Sequence, residues 1–330
     1  FLDYTLNGKV TYLPGEKQQL VIGYIYDNYQ KNQDYFLSGK KTTDCRNIKQ
    51  TPRIDYTGTF GKHTVSVGFE GDFEYLKHYM LEDSSHVNNQ LYAFYAQEDW
   101  DILDELNIVA GVRADYHEKY HWHVTPKVSL LWHFCDHVSF RAGYAQGFRS
   151  PSLKELYQAY DMGGMGWFML YGNPDLKSET SHNFSVSAEY TKNRYNFSVT
   201  GYYNLVHNRI NTVYSEDPKG QIYTNTDKMD IAGIDANISA KYPCGLGYRL
   251  SYTYIHEFMR DGQKKFTDTR PHTATVRIDW GKTLNKVDFN YSLNGRVLSK
   301  VKTNIYNDSF NNPAAGSQAV VGGIERSRTG

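Results

Sequence analysis

The strongest constraint in this sequence is an alternation of apolar and polar residues that recurs along nearly the whole chain. Residues 18–29 place Leu20, Ile22, Tyr24 and Tyr26 on one face, and 63–76 do the same with Val65, Val67 and Phe69. In 105–117, Leu106, Ile108, Ala110, Val112 and Tyr116 oppose Asn107, Gly111, Arg113 and Asp115. The pattern returns through Val138, Phe140, Ala142 and Tyr144, through Phe184, Val186 and Ala188, and finally through Val287, Phe289, Tyr291 and Leu293. A period of two marks a strand that is apolar on one side only. Roughly fifteen such segments of about ten residues fit strands that cross a bilayer at a tilt. The chain reads as all-β and antiparallel.

The connections alternate in length. Short ones fall at Pro14-Gly15-Glu16, Gly61-Lys62, 101–104, Cys135-Asp136, Lys192-Asn193, Pro243–Gly245 and Lys282–Asn285. Between them lie mostly longer ones at 30–51, 77–88, 117–123, 147–180, 207–220 and 258–270. A soluble sandwich also alternates its faces, but nothing in it sorts loop length by side. An outer-membrane barrel does, with short periplasmic turns and long exterior loops. The polar faces of Ser, Asn, Thr, Gly, Arg and Asp suit a wet or plugged interior. No apolar run approaches the roughly 18 residues of a membrane helix, which a transmembrane barrel does not need. The 29 tyrosines, against 16 Phe and 5 Trp, suit strands and membrane–water interfaces. Formal net charge is zero, so there is no electrostatic case for nucleic acid. Cys45, expected in a long loop, and Cys135 and Cys244, expected in short turns, show no metal-ligand spacing and read as structural thiols. No catalytic motif appears, so no enzymatic activity, catalytic residue or metal site is expected.

The stretch 147–180 is the long irregular connection around which the rest is arranged. Ser152 stands three residues before Glu155, the capping-box spacing, with Pro151 beside it, so a single helical turn is expected over LKELY. Asn173-Pro174-Asp175 is a turn signal, and Gly172 and Pro151 are backbone punctuation. Arg149 is expected to fix the loop by bonding carboxylates or carbonyls. Met162, Met165 and Met169, with Tyr157, Tyr160, Trp167, Phe168 and Tyr171, either form a soft surface for a flat hydrophobic ligand or pack the loop against itself. Among the histidines, His117, His121 and His123 flank one outer loop, and His78 and His86 another. His121 and His123 share a face if that segment is extended, and are candidates for a metal or axial haem contact.

The two motifs running from Gly147 through Phe148, Arg149, Pro151, Leu153, Glu155 and Leu156 to Tyr157, and from Gly172 through Asn173, Pro174, Asp175 and Leu176 to Glu179, resemble those of TonB-dependent outer-membrane receptors. Ser178 stands where that family usually has proline. The resemblance covers most of residues 90–300. It implies part of a barrel of about 22 strands, plugged by an N-terminal domain. It places this chain at about the sixth to the nineteenth or twentieth strand. Residues 1–310 are expected to be the partial barrel domain, and 311–330, which lose the alternation, an irregular tail. The plug, the TonB-contacting segment and the flanking strands are expected to lie outside this chain.

Within the family, the paired motifs look like the haem and haemoglobin receptor branch. That branch usually carries a histidine between them, where this chain has Met162. The expected function is therefore a bacterial outer-membrane receptor that binds haem at its exterior loops and imports it with energy from TonB, ExbB and ExbD. Receptors for a siderophore, cobalamin or an oligosaccharide are alternatives, as is a passive porin-like barrel. No intrinsic cofactor is expected, since haem or a ferric chelate would be cargo. Outer-membrane lipid and a surface lipoprotein complete the expected partners.

Overall fold

The computed structural model describes residues 1–81, 86–162, 169–216, 218–226, 229–259, 269–305 and 324–328. Among these, the chain opens with β1 (Leu2–Gly15), β2 (Gln18–Tyr35), β3 (Lys40–Phe60) and β4 (His63–His78). It continues with β5 (His86–Leu103), β6 (Leu106–His117), β7 (His121–Cys135) and β8 (Val138–Arg149). One short helix, α1 (Leu153–Tyr157), and two short strands, β9 (Ala159–Asp161) and β10 (Met169–Tyr171), follow. Then come β11 (Glu179–Lys192), β12 (Tyr195–His207), β13 (Arg209–Glu216), β14 (Lys219–Thr226) and β15 (Met229–Lys241). β16 (Leu246–Met259), β17 (His272–Leu284) and β18 (Val287–Leu298) complete the series, and β19 (Val301–Ile305) pairs with β20 (Ile324–Arg328).

Fourteen of the described strands form one sheet in the order β1-β2-β3-β4-β5-β6-β7-β8-β11-β12-β15-β16-β17-β18. Each strand lies beside its neighbour in the chain except where β9, β10, β13 and β14 leave the series. Those four form a second sheet in the order β13-β14-β10-β9. The tight turns take residues suited to left-handed backbone: φ is 64° at Gly61, 54° at Asn193 and 56° at Asn285.

By contacts the chain divides into two units. The first comprises Phe1–Leu131, Gly143–Asn183 and Val206–Lys228. Here register fixes what faces what. Ile54 lies opposite Phe69, which lies opposite Phe94, so one face carries an apolar row. Phe94 is 51% exposed and Ile54 45%. The other face carries a charge lattice. Arg53 bonds Asp55 (2.6 Å), and Arg113 bonds Asp115 (2.9 Å) and Glu70 (3.1 Å). The Tyr95 ring sits between the two guanidiniums, 5.9 Å from each, and its hydroxyl donates to Asp55. Apart from Ala93, the buried apolar residues described in this unit form clusters around α1. Cys45, Leu76, Leu81 and Leu153 form one, and Leu156, Leu176 and Ile210 another.

The second unit comprises Trp132–Ala142, Phe184–Leu205 and Met229–Gly330. Its outward residues include Val297 at 71%, Leu293 at 65% and Val186 at 64% exposed. A row of aliphatic side chains left this open is stable where the surroundings are themselves apolar, as in lipid. Toward its tight turns the apolar rows give way to aromatic pairs: Trp132 with Phe134, Tyr195 with Tyr242, and Trp280 with Tyr291.

Several long connections expected from the sequence are extended hairpins instead. Within 30–51, Asn32–Tyr35 of β2 pair with Lys40–Thr43 of β3, and Cys45 sits buried in β3 opposite His78. Within 207–220, residues pair as β13 and β14. The segment 147–180 likewise contains β9 and β10 as well as its helix. Alternation fails to mark these strands because neither face is held against lipid there, while backbone pairing needs no pattern.

Gly68 lies directly beneath the Tyr95 ring, in space that a side chain would fill. That ring is held by Asp55 and by two guanidiniums, so it cannot swing aside cheaply. Gly68→Val is expected to cost about 1–3 kcal/mol, the usual range for overpacking. The midpoint of denaturant unfolding of the detergent-folded protein measures it.

Candidate ligand-binding site

Residues 147–180 owe their shape to local chemistry at both ends of α1. Ser152 is the N-cap: its Oγ accepts from the Glu155 amide (3.3 Å), while the Ser152 amide donates to Glu155 Oε2 (2.7 Å). One turn of helix cannot satisfy its own termini, so the chain supplies partners. The Gln158 amide donates to the Lys154 carbonyl (3.1 Å), and the Asn173 amide to the Glu155 carbonyl (2.8 Å). Gly172 crosses the helix end so closely that a Cβ there would lie 2.6 Å from the Tyr157 nitrogen. Only glycine fits. Leu153 and Leu156 turn inward and are 4% and 2% exposed.

From α1 the chain passes into a small sheet. β9 runs antiparallel to β10, with Leu170 opposite Tyr160, and β10 runs parallel to β14, with Tyr171 opposite Ile222. Asn173 donates from Nδ2 to the Tyr223 carbonyl (3.0 Å) and accepts from the Asp175 amide (2.9 Å). Leu176 is 2% exposed against Leu156 and Ile210. Lys119 donates to the Pro174 carbonyl.

Arg149 closes the assembly. Its Nε and Nη2 donate to the two Glu179 oxygens (2.8 and 2.9 Å), and its Nη1 donates to Glu155 Oε2 (3.0 Å). Glu179 Oε1 also accepts from the Ile210 amide (2.5 Å). Burial alone would raise the Glu179 pKa, but the Arg149 bonds and the Ile210 amide outweigh it and hold the carboxyl below its ordinary value. Arg149 is pushed above its ordinary value, chiefly by its bond to Glu179. Tyr120, in the turn before β7, is pushed up to about 12, first by burial and then by Tyr157 and Glu155.

The candidate ligand residues separate into groups. Tyr157, Tyr160, Met169 and Tyr171 are half-buried around the small sheet, and Met162 beside them is 53% exposed. Met165 and Trp167, with Phe168, lie outside the described residues. His121 and His123 meet different neighbours. At His121 φ is 59°, so the alternation that would align the two does not hold there. The His121 ring faces Tyr116 (6.5 Å), while the His123 ring stacks on Phe148 (4.0 Å) and its Nε2 engages the Tyr120 carbonyl (3.1 Å).

A cavity of about 320 Å³ under α1 brings together residues that were not read as one site, among them Lys31, Cys45, Asn47, His78, Tyr79 and Lys154. His78 flanks a predicted outer loop, which was the one signal available. Lys31 sits in an extended hairpin read as loop, so its neighbours were not legible.

A family model described as "TonB dependent receptor-like, beta-barrel" matches residues 1–323. This chain belongs to that family. Its strands are those of an outer-membrane β-barrel. The receptor barrel is similar to an iron-regulated outer membrane virulence protein of Vibrio cholerae serotype O1, 27% identical over 249 residues, covering 68% of this chain and 37% of the relative. Among solved structures it resembles the siderophore receptor PirA from Acinetobacter baumannii, with TM-score 0.70 and 17% identity over 91% of this chain and 50% of PirA. It also resembles a mutant of the ferric enterobactin receptor PfeA from Pseudomonas aeruginosa, with TM-score 0.74 and 16% identity over 91% of this chain and 50% of PfeA. At these identities the structural likeness is one of fold. The chain spans about half the length of those structures and less of the Vibrio relative.

Two outcomes test the loop assembly. Gly172→Ala forces the helix end and β10 apart, and is expected to expose β9 and β10 to limited proteolysis while the main sheet stays folded. Arg149→Met leaves two carboxylates without their partner and is expected to cost roughly 2 kcal/mol, since the guanidinium is partly exposed. The lowered Glu179 pKa sets the sign with pH. The stabilisation is complete above the ordinary carboxylate pKa and is lost as pH falls through the lower folded value. In wild type, loop cleavage should therefore rise on acidification, and Glu179→Gln should flatten that rise.

Proposed function

We propose that this chain supplies the barrel wall and capture loops of an outer-membrane receptor that binds an iron chelate and imports it with energy from TonB. The observation that carries this reading is the described part of the loop, 147–162 and 169–180, clamped by Arg149 beside a cavity on the charge-bearing face of the sheet. A loop held this firmly presents a preformed surface, which lowers the ordering cost of binding. Its work is binding and release, without covalent chemistry. Residues 1–310 then form the barrel domain, with 311–330 as its tail. TonB, driven by ExbB and ExbD, supplies the energy. A surface lipoprotein that hands over cargo would meet the same exterior loops.

A ferric siderophore fits the described residues better than haem. Lys31 and Lys154 offer two ammonium groups at the cavity against one carboxylate, Asp27, a balance suited to an anionic chelate. His78 offers no lone pair to iron in this geometry. Its Nδ1 accepts from the Met80 amide (3.1 Å), so the proton resides on Nε2. The Vibrio relative is iron-regulated by name, PirA is a siderophore receptor by name and PfeA a ferric enterobactin receptor by name. Haem is the second reading, favoured by the exposed Met162, whose thioether is a known type of iron ligand.

The test titrates the whole receptor in detergent with a ferric siderophore and, separately, with haemin. The siderophore is expected to quench intrinsic fluorescence saturably, and Lys31→Gln with Lys154→Gln to weaken it roughly ten-fold. A saturable Soret shift with haemin that disappears in Met162→Ala would reverse the assignment to haem. In cells, uptake is expected to stop when an uncoupler collapses the proton gradient, and uptake that continues would identify a passive barrel.

A further inference from the structure

The strands that carry the exterior loops bring two histidines together away from the cavity under α1. His182 lies near the start of β11 and His207 at the end of β12. Their ring centres are 6.0 Å apart and their planes cross at 80°. Tyr144 of β8 flanks His182, with its ring stacked at 6.1 Å and its hydroxyl 2.9 Å from Nδ1. All three side chains are half-buried, and all three belong to the first of the two units.

Two imidazoles at this spacing suit a shared cation. An ion about 2.1 Å from each nitrogen lies roughly 3 Å from each ring centre, so two rings on one ion stand about 5–6 Å apart. The bond to Tyr144 has the form found at metal-binding histidines, where one ring nitrogen holds an oxygen partner and the other faces the metal. When Nδ1 donates to the Tyr144 oxygen, Nε2 presents its lone pair. Imidazole suits zinc, copper and nickel, whereas magnesium and calcium prefer oxygen ligands. Water reaches the pair. Alternation puts Tyr144 and His182 on the apolar faces of β8 and β11. From the tight turn at Asn193 to His182 is roughly 36 Å of strand. At an average tilt that is about 28 Å of height, which reaches the outer edge of an apolar band about 25 Å tall.

We propose that His182 and His207 bind one transition-metal cation of the zinc, copper and nickel class, with Tyr144 as the positioning residue and water completing the coordination. Three strands meet at this ion. β8 leads into Arg149, β11 leaves from Glu179, and β12 passes into β13. The cation therefore ties the roots of the 147–180 loop and of the β13–β14 hairpin. The site lies outside the cavity and holds whatever cargo the receptor takes.

The experiment titrates the whole receptor in detergent, free of any affinity tag, with Zn²⁺ in a calorimeter, and records the electron paramagnetic resonance of Cu²⁺ bound to it. Wild type is expected to show one Zn²⁺ site that the double variant His182→Gln with His207→Gln lacks. Each single variant is expected to weaken that site more than about 100-fold, since even an outer partner of a metal histidine is worth about 10–100-fold. Tyr144→Phe is expected to weaken it about ten-fold with the stoichiometry kept. The Cu²⁺ spectrum is expected to show two coupled nitrogens in wild type and in Tyr144→Phe, and one in either histidine variant. Unchanged far-ultraviolet circular dichroism shows that each variant is folded. Equal Zn²⁺ binding by the double variant, or loss in only one of the two single variants, overturns the proposal. Binding of Ca²⁺ at the same affinity as Zn²⁺ overturns imidazole as the ligand.

Discussion

Inside a bilayer a peptide group has no water to bond, so every N–H and C=O of a spanning segment must find its partner on the next strand. The rest of this structure follows from that requirement. Pairing runs without a break along Met229–Lys241 with Gly247–Met259, and along Thr273–Leu284 with Val287–Leu298. Register shifts fall at Tyr12/Gly15, Lys31/Asn32 and Asp101/Leu103, and the β3–β4 ladder skips Thr51 and Pro52, where proline has no N–H to give. Once the backbone is committed this way, a side chain has two places to go. Arg53, Glu70, Tyr95 and Arg113 share one face and Ile54, Phe69 and Phe94 the other. Neither set could exchange places without burying charge in lipid.

The same demand shapes the loop at smaller scale. α1 is a five-residue helix and has almost no internal pairing of its own. Its termini are satisfied by Ser152, Gln158 and Asn173, and its side chains by two small apolar clusters. Apolar burial is slight because the sheet spends its hydrophobic residues on the membrane. Directed bonds take over the work of fixing the loop, above all the Arg149 bonds to Glu155 and Glu179. These bonds also explain why the loop can be firm while its outer residue Met162 stays open.

Local features of the site were legible in the sequence. Ser152 and Glu155 are three residues apart, and the capping box needs nothing beyond that spacing. That Arg149 would meet carboxylates could be anticipated from its chemistry. Which carboxylates could not, because Glu179 lies thirty residues on and reaches it only after the loop folds back. The cavity residues Lys31, Cys45, His78 and Lys154 come from three strands and a helix, and their meeting depends on register between hairpins whose sequence carries no alternation. His121 and His123 show the converse case. Their spacing suggested one face, and a left-handed φ at His121 removed it.

The sequence by itself determined the β class and the membrane environment. Contact with lipid on one side and water on the other imposes a period of two on every spanning strand, and that imprint is local. Only the tertiary structure decided that β9, β10, β13 and β14 leave the main sheet, that Gly172 must pass against the end of α1, and that His182 and His207 stand ring beside ring. These depend on which residue of one segment lies beside which residue of another. That choice is set by hydrogen-bond register and by how the loop folds back, and no single segment carries a record of it.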